Sequence, residues 1–534
     1  MKKHNIFKVV LITMLVFLVL SWIFPAAYYS GEFVDQGRVQ MGLFDLFDYP
    51  LLALSYFGYI VLYLVLVGGF YGVLYKIPAY RLLLDKIVAK VAGKEKVALA
   101  VMVVVISLLV SVCGLHIGVA LFVPFLVALI YLMGYDKMVA AMVLVGSVSV
   151  GLAGSTYAYG NLSILLEGLS LKNDYQILVR FLILLVGVVI LLFNVYMYIK
   201  ESLKVSKAEK KTVKKVEVTL ATDKVEKKIT KTTVKKTTAK GKSSGKKSNN
   251  KSKSRKNPNK AALREAEIIV VKENVDENSA YVPEKVVSNQ KTWPMTLVLV
   301  LLFVLVCLAF VTWNENGFGI KLFEDITKAV KEFEIGKFPI FAKILGSRYD
   351  VKAFGLWSIT DLFLPMGLVV LVLSIVYKLS FDDVVDGFVK GAKKALYPAV
   401  IVVFIYSILV LVTYHPFQLV LYKAILGWTK GFNIFTTVLV SLLAGLFNSD
   451  IYYTFQSVVP YFASVVELKD YSVAGLIFQS MYGVTSLVAP TSLVLMTALA
   501  YLGVSYKEWL KNVWKFLLEL FVVLLVIIVI LYAL

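Results

Sequence analysis

Long apolar segments dominate this chain and restrict its fold more than any other feature. A helical crossing of the bilayer core needs about 20 mostly apolar residues, and several segments reach that length. The clearest of them are Val9 to Ala27, Leu51 to Tyr75, Ile177 to Ile199, Met295 to Thr312 and Phe516 to Leu534. With 59% hydrophobic and 17% charged residues, the chain also lies outside the usual range of soluble domains. The sequence therefore predicts an all-α polytopic membrane protein.

Most of the net charge of +21 lies in one stretch of the chain. Between residues 200 and 260 there are 22 Lys or Arg and 5 Asp or Glu residues, which amounts to +17. Such a segment buries no apolar face, so we predict a basic, disordered linker at 200–290. The positive-inside rule places this linker and the N-terminus in the cytoplasm. The linker divides the chain into an N-terminal membrane half, 1–199, and a C-terminal membrane half, 291–534.

The first apolar segment has two interpretations. It follows a basic start, Met1 to Lys8, and a cleavable signal peptide has the same arrangement. Its apolar run is close to a full span, however, and further spans follow it. An uncleaved first helix is therefore the simpler interpretation.

An internal repeat relates the two halves. Three pairs of identical or similar residues align at a constant offset of 336, namely Pro124 with Pro460, Tyr135 with Tyr471 and Ser155 with Thr491. Each copy contains an apolar arm, a polar break, a second arm with the proline, and a helix interrupted by Gly, Ser and Thr. The repeat predicts hairpins at about 97–133 and 433–466, and broken helices at about 138–161 and 472–500.

The second half contains an additional apolar segment, from about Ala395 to Thr413, upstream of its copy. One extra crossing reverses the orientation of everything that follows, so we expect the two copies to be inverted repeats. The basic residues Lys507, Lys511 and Lys515 then fall on the cytoplasmic side. Counting both hairpins as re-entrant gives about nine transmembrane helices in a cell inner membrane, with the N-terminus inside and the C-terminus outside.

Interrupted helices at membrane depth predict a binding site, because unpaired backbone groups survive there only inside protein or beside a wet cavity. Helix N-termini favour an anionic group, and free carbonyls are suitable ligands for Na+. The candidate substrate-binding residues are Ser111, Gly114, His116, Gly154, Ser155, Thr156, Asn161, Asn448, Ser449, Pro490, Thr491 and Ser492. The candidate ion-coupling residues are Asp450, Asn448, Thr485 and Ser486.

Structural explanations remain open for these candidates. An ionisable Asp450 inside a membrane segment indicates an ion or proton site, but the same residue could cap the helix arm that follows. His116 could be a satisfied structural group rather than a functional one. Serine, threonine and glycine residues also serve close packing between membrane helices.

The sequence gives little support for an enzyme. It contains no nucleophile with a paired base, no metal-ligand cluster and no phosphate-binding glycine loop. An enzyme that used His116 as a base would lack an identifiable partner for it. We therefore predict no enzymatic activity, no cofactor and no metal beyond possible coupling to Na+ or H+. The two cysteines, Cys113 and Cys307, lie in apolar segments and predict no disulfide framework.

Several motifs carry a family resemblance. They are Gly68-Gly69 to Tyr75-Lys76, Gly134-Tyr135-Asp136, Gly154-Ser155-Thr156, the run from Ala489 through Pro490, Thr491 and Ser492, and the tail from Lys507 through Trp509 to Lys511. Together these motifs resemble the YfcC family of C4-dicarboxylate anaerobic carrier-like proteins, in the ion transporter superfamily that includes AbgT-type carriers. The sequence departs from that family in lacking an acidic pair at Gly114 to His116 and in its unusually long basic linker.

The resemblance implies an inverted-repeat carrier that works by alternating access and is driven by Na+, H+ or exchange. Its solute would be an amino acid, a peptide or a dicarboxylate. The expected partners are this solute, membrane lipids with anionic lipid near 200–260, and a second copy in a homodimer, with no specific nucleic acid. The alternative function is a non-transporting membrane anchor whose basic linker binds anionic lipid or nucleic acid.

Overall fold

A computed structural model describes residues 5–202, 281–285, 288–344 and 352–533. The chain forms two units, a membrane body of residues 1–195 and 281–534 and a second unit of residues 196–280. Of the second unit, only residues 196–202 are described, and they are helical. The predicted disorder, cytoplasmic position and lipid contacts of the linker fall largely on residues 203–280, which lie outside the described residues.

The first half of the body is helical apart from one small hairpin. Its helices are α1 (Asn5–Ile23), α2 (Asp45–Leu74), α3 (Pro78–Val91), α4 (Glu95–Cys113), α5 (Val123–Leu132), α6 (Lys137–Ala153), α7 (Tyr159–Gly168) and α8 (Ile177–Ser202). Strands β1 (Ala26–Tyr29) and β2 (Phe33–Gly37) pair antiparallel directly after α1. The first helix therefore ends before the predicted limit of Ala27, since residues that precede a proline, here Pro25, disfavour helix.

The second half is also mostly helical in the described residues. Its helices are α9 (Trp293–Phe310), α10 (Leu322–Glu332), α11 (Ile340–Ile344), α12 (Ile359–Val376), α13 (Phe381–Tyr414), α14 (Gln418–Leu426), α15 (Ile434–Phe447), α16 (Ile451–Val465), α17 (Tyr471–Thr485), α18 (Leu493–Leu502) and α19 (Tyr506–Ala533). A two-residue strand pair, β3 (Glu334–Ile335) and β4 (Phe338–Pro339), follows α10.

Eight helices of the described residues are long and apolar enough to cross a membrane. They are α1, α2, α4, α8, α9, α12, α13 and α19. The predicted all-α polytopic fold class is therefore confirmed. The predicted nine included the two broken helices, which consist of shorter pieces, and treated α4 as one arm of a hairpin. Without the two broken helices and with α4, the number is eight. The inverted orientation of the two copies and the re-entrant course of the hairpins stay predictions.

A close crossing of α2 and α13 joins the two halves. A Cβ atom added to Gly72 would lie 2.7 Å from the Gly391 Cα atom, and one added to Gly68 would lie 2.7 Å from the Gly391 carbonyl oxygen. Small residues let two membrane helices approach to backbone contact. Beyond this crossing, Lys76 pairs with Asp386 at 2.5 Å, and the hydrogen bond from this carboxylate raises the pKa of Lys76.

Replacing Gly72 by alanine is expected to destabilise the protein by about 1–3 kcal/mol, because the added methyl group would overlap the backbone of Gly387 and Gly391 in α13. Thermal unfolding of the detergent-solubilised protein would measure the change. Gly367→Ala, on α12, is the matched control, since a Cβ atom there meets nothing within 4 Å. Equal unfolding temperatures for the two variants would contradict this account of the crossing.

Residues 281–283, near the end of the predicted linker, are held on the membrane body. The Tyr281 hydroxyl donates to the Tyr501 carbonyl at 2.6 Å, and the Tyr281 carbonyl accepts from the Tyr75 hydroxyl at 2.9 Å. Arg81 donates to the Pro283 carbonyl at 2.7 Å. Residues 281–283 therefore contact helices of both halves before α9 begins.

Candidate functional site

The first hairpin turns at Gly114, directly after α4. Gly114 has a φ of +69°, a left-handed conformation that glycine adopts at low cost. A Cβ atom at this position would lie 3.3 Å from Asn161 Oδ1, so the absence of a side chain also lets α7 approach the turn. The chain then passes His116 and a short 3-10 helix, Gly118–Leu121, before α5 begins.

The second hairpin turns at Asn448–Asp450, between α15 and α16. Asp450 is the N-cap of α16, because its Oδ1 accepts a hydrogen bond from the Tyr453 N–H at 3.1 Å. Asn448 donates to the Ala444 carbonyl at 2.9 Å and to the Ser457 hydroxyl at 3.1 Å. The capping role that the sequence left open for Asp450 is therefore present, and it uses one of the two carboxylate oxygens.

Each half contains a helix that is interrupted by a short non-helical segment, and each interruption is hydrogen-bonded to the hairpin of its own half. The first break lies between the end of α6 at Ala153 and the start of α7 at Tyr159. There Thr156 Oγ1 donates to the Ser111 carbonyl at 3.2 Å, and its N–H donates to the same oxygen at 2.8 Å. The Ser111 hydroxyl in turn donates to the Gly154 carbonyl at 2.7 Å.

The second break lies between the end of α17 at Thr485 and the start of α18 at Leu493. Thr491 Oγ1 donates to the Leu446 carbonyl at 2.8 Å. This bond and the Thr156–Ser111 bond each join a threonine of the break to a carbonyl 45 residues earlier, near the end of the first hairpin arm. The two halves therefore share one local arrangement.

The broken helices of the two halves cross each other. The Ser486 hydroxyl donates to Ser149 Oγ at 2.7 Å. A Cβ atom at Gly483 would lie 2.6 Å from the Ala153 N atom, so α6 and α17 are in backbone contact there. At the repeat offset of 336, Ser149 corresponds to position 485, next to Ser486. The crossing thus occurs at nearly equivalent positions of the two copies.

The two hairpin tips lie within range of an electrostatic interaction. The His116 ring interacts electrostatically with the Asp450 carboxylate, and the Asn161 side chain is a hydrogen-bond partner of His116. The Tyr406 hydroxyl donates to Asp450 Oδ2 at 3.3 Å, and Asp450 is only 6% exposed. Three further tyrosines lie near enough to interact electrostatically with this carboxylate, namely Tyr59, Tyr453 and Tyr482.

Three predicted site residues carry a buried polar atom that has no hydrogen-bond partner among the described residues. They are Ser155 with its Oγ, Asn161 with its Nδ2 and Ser449 with its Oγ. Buried polar groups in proteins are normally paired, so such atoms call for an explanation. All three can donate a hydrogen bond. Eight other buried side-chain atoms of the described residues also lack a partner, and they belong to residues outside the predicted set.

Other predicted residues bond within their own helix or turn. Thr485 donates to the Met481 and Tyr482 carbonyls of α17, and Ser492 is the N-cap of α18. Pro490 is half-buried in the second break. The structure therefore places Thr485 and Ser492 where the helix geometry already accounts for their polar groups.

Arg180 was missed by the sequence reasoning, because apolar length alone marks residues 177–199 as a simple span. Its side chain is fully buried and donates to the Ser155 carbonyl at 2.6 Å and to the Thr156 carbonyl. It also donates to the Asn173 and Tyr175 carbonyls, at 2.6 and 3.1 Å. A charge inside an apolar segment is itself a signal of function or structural strain, and it could have drawn attention to this residue.

Gln479 was missed as well. It donates from α17 to the Ala153 and Ser155 carbonyls, at 3.1 and 2.9 Å. Its Oε1 accepts from the Tyr175 hydroxyl at 3.0 Å. Every carbonyl from Ala153 to Thr156 therefore accepts a hydrogen bond from the side chain of Gln479, Arg180 or Ser111. In the second break, Trp509 and Tyr506 donate to the Leu487 and Val488 carbonyls.

Among the described residues, no group of three or more His, Cys, Asp or Glu side chains could hold a metal ion.

A family model described as the C4-dicarboxylate anaerobic carrier matches residues 36–239 and 251–533 of the chain. No curated protein matches the chain, and no solved structure does.

Proposed function

The chain belongs to the C4-dicarboxylate anaerobic carrier family, and we propose that it is a secondary transporter for a four-carbon dicarboxylate or a similar small organic anion. Amino acids and peptides, which the family resemblance also implied, are the competing solutes. Transport would proceed by alternating access, with the two crossing halves moving around the site. The near-equivalence of Ser149 and Ser486 at this crossing supports a two-fold relation between the copies.

The unpartnered donors of Ser155, Asn161 and Ser449 carry the proposal for the solute. A carboxylate accepts several hydrogen bonds and could satisfy these groups. Arg180 favours the same charge, because its buried guanidinium forms no ion pair within the described part of the chain. A positive charge beside the first break lowers the cost of bringing an anion into a site of low dielectric.

Asp450 and His116 are the proposed coupling groups. Asp450 Oδ2 accepts a hydrogen bond from the Tyr406 hydroxyl at 3.3 Å and takes no part in the cap that Oδ1 forms, so its second lone pair can take an ion or a proton. His116 comes from the other hairpin, and a change of charge at Asp450 would therefore act on both halves. Na+, H+ and counter-solute exchange are the three coupling modes to be distinguished. We also propose a homodimer with a cytoplasmic N-terminus and linker.

Uptake by the purified protein in proteoliposomes tests this function. We expect a labelled four-carbon dicarboxylate to accumulate when one of three gradients is imposed: Na+, H+ or internal dicarboxylate. Unlabelled dicarboxylate should compete, while neutral amino acids and dipeptides should not. Accumulation of an amino acid or a dipeptide with no uptake of dicarboxylate under any gradient would contradict the proposed solute.

Replacing the unpartnered hydroxyls should weaken binding without weakening the fold. Each of the variants Ser155→Ala and Ser449→Ala loses one hydrogen bond to a charged solute, which we expect to raise the Kd about 10- to 100-fold. The solute-free protein should be as stable as before or more stable, because an unsatisfied buried polar group is removed. Binding and thermal unfolding measured on the same sample would show the two opposite effects.

Ser464→Ala provides the matched control, since that hydroxyl already donates to the Tyr461 carbonyl at 2.7 Å within its own helix. It should leave the affinity unchanged. A loss of stability in Ser155→Ala or Ser449→Ala with unchanged affinity would show that the hydroxyls serve packing alone.

A further inference from the structure

A segment between two spans carries large apolar side chains on its surface. Leu322 and Ile326 of α10 are 57% and 49% exposed, and Ile335 and Phe338 of the following strand pair are 62% and 54% exposed. None of these residues lies in a helix long and apolar enough to cross the membrane. Exposed apolar side chains clustered in this way normally mark an interaction surface.

The sequence of α10 separates an apolar side from a polar one. Leu322, Ile326 and Ala329 recur at the helical spacing of three and four residues, while the charged residues Glu324, Asp325 and Lys328 fall on the other side of the helix. At 11 residues, the helix is too short to span a bilayer. This pattern and length are typical of a helix that lies in the plane of a membrane surface.

Aromatic contacts place α10 at the level where two spans end. Phe323 of α10 packs against Trp313, which follows the end of α9, with ring centroids 5.1 Å apart. Phe323 also packs at 5.4 Å against Phe354, whose own neighbour is Trp357 at 5.5 Å. Trp357 directly precedes the start of α12 at Ile359. Tryptophan near the ends of membrane helices is typical of the lipid–water interface.

We infer that α10 and the β3–β4 strands lie on the bilayer surface, with Leu322, Ile326, Ile335 and Phe338 inserted between lipid headgroups. Lipid is the expected occupant because the contacts of Phe323 hold the segment at headgroup depth, where lipid is the neighbour already present. Such a contact would fix the ends of α9 and α12 relative to the membrane. It does not depend on the transported solute.

Site-directed spin labelling in liposomes tests this inference. Both native cysteines of the full-length protein would first be replaced, by Cys113→Ala and Cys307→Ala. A nitroxide would then be attached to a single new cysteine, introduced by Ile326→Cys or Ile335→Cys. Lys328→Cys, on the polar side of α10, is the matched control. We expect the ratio of collision rates with O2 over a water-soluble nickel complex to be several-fold higher at positions 326 and 335 than at 328.

Two outcomes would overturn the inference. If the labels at 326 and 335 collide with the nickel complex as readily as the label at 328, the surface faces water. If they are shielded from both reagents and show dipolar coupling between copies, a second copy of the chain covers the patch. Agreement between the two labelled positions would show that the result does not come from a local change of structure at one of them.

Discussion

Arg180→Met is expected to abolish uptake and to lower the free energy of unfolding by roughly 3 kcal/mol or more, the largest effect on stability that we predict. The variant removes a buried cation that donates to four backbone carbonyls, those of Ser155, Thr156, Asn173 and Tyr175. Methionine can fill much of the space but cannot donate. A buried carbonyl that loses its charged donor is left desolvated without a hydrogen bond, which destabilises the folded state. The first break would also lose the contacts that fix its conformation.

The measurements are chemical or thermal unfolding of the purified protein and uptake in proteoliposomes. Arg38→Met is the matched control, because Arg38 is exposed and the same substitution there should change stability by no more than about 0.5 kcal/mol. Arg180→Lys should give an intermediate result, since an ammonium keeps the charge but cannot span four carbonyls as the guanidinium fork does. If Arg180→Met keeps wild-type stability and uptake, Arg180 does not hold the first break in its conformation.

Spans and helix interruptions both depend on local composition, so the sequence carries a signal for each of them. Apolar length is sufficient for the spans, since a bilayer selects for it along the whole segment. Glycine and short polar residues mark the turns at Gly114 and Asn448, since these residues allow the chain to leave a helix. Serine, threonine and glycine also occur inside the intact parts of α6 and α17, so composition alone does not fix where each helix is interrupted.

The contacts that hold the breaks together could not be predicted in the same way. Gln479 reaches the Ala153 and Ser155 carbonyls across more than 320 positions of sequence. Nothing in the residues around Gln479 indicates that its partner lies in the other half. The offset of 336 aligns the two copies but gives no contact between them, because such a contact depends on how the copies are oriented.

Different side chains donate to the carbonyls of the two breaks, and this difference affects the charge of the solute that each break favours. The first break is held by a cation, Arg180, and the second by the neutral donors of Trp509 and Tyr506. The positive charge of Arg180 therefore lies beside the first break. The one buried carboxylate among the predicted residues, Asp450, belongs to the hairpin of the other half. An anionic solute near the first break and a coupling cation near Asp450 would both be placed favourably.

Asp450→Asn is expected to lower gradient-driven uptake at least about tenfold while leaving stability nearly unchanged, because it separates the two roles of this residue. Asparagine caps helices about as well as aspartate, so the bond to the Tyr453 N–H survives. The negative charge that faces Tyr406 and His116 is lost. Residual uptake should then no longer respond to the gradient that drives the wild-type protein.

Two further variants complete the test. Asp450→Ala removes both the charge and the cap, and should cost about 1 kcal/mol in addition to the loss of coupling. Asp136→Asn is the matched control, since Asp136 caps α6 through the Val139 N–H at 2.9 Å and is exposed. If Asp450→Asn transports with wild-type rate and gradient dependence while only Asp450→Ala is impaired, the carboxylate acts as a helix cap and the coupling ion binds elsewhere.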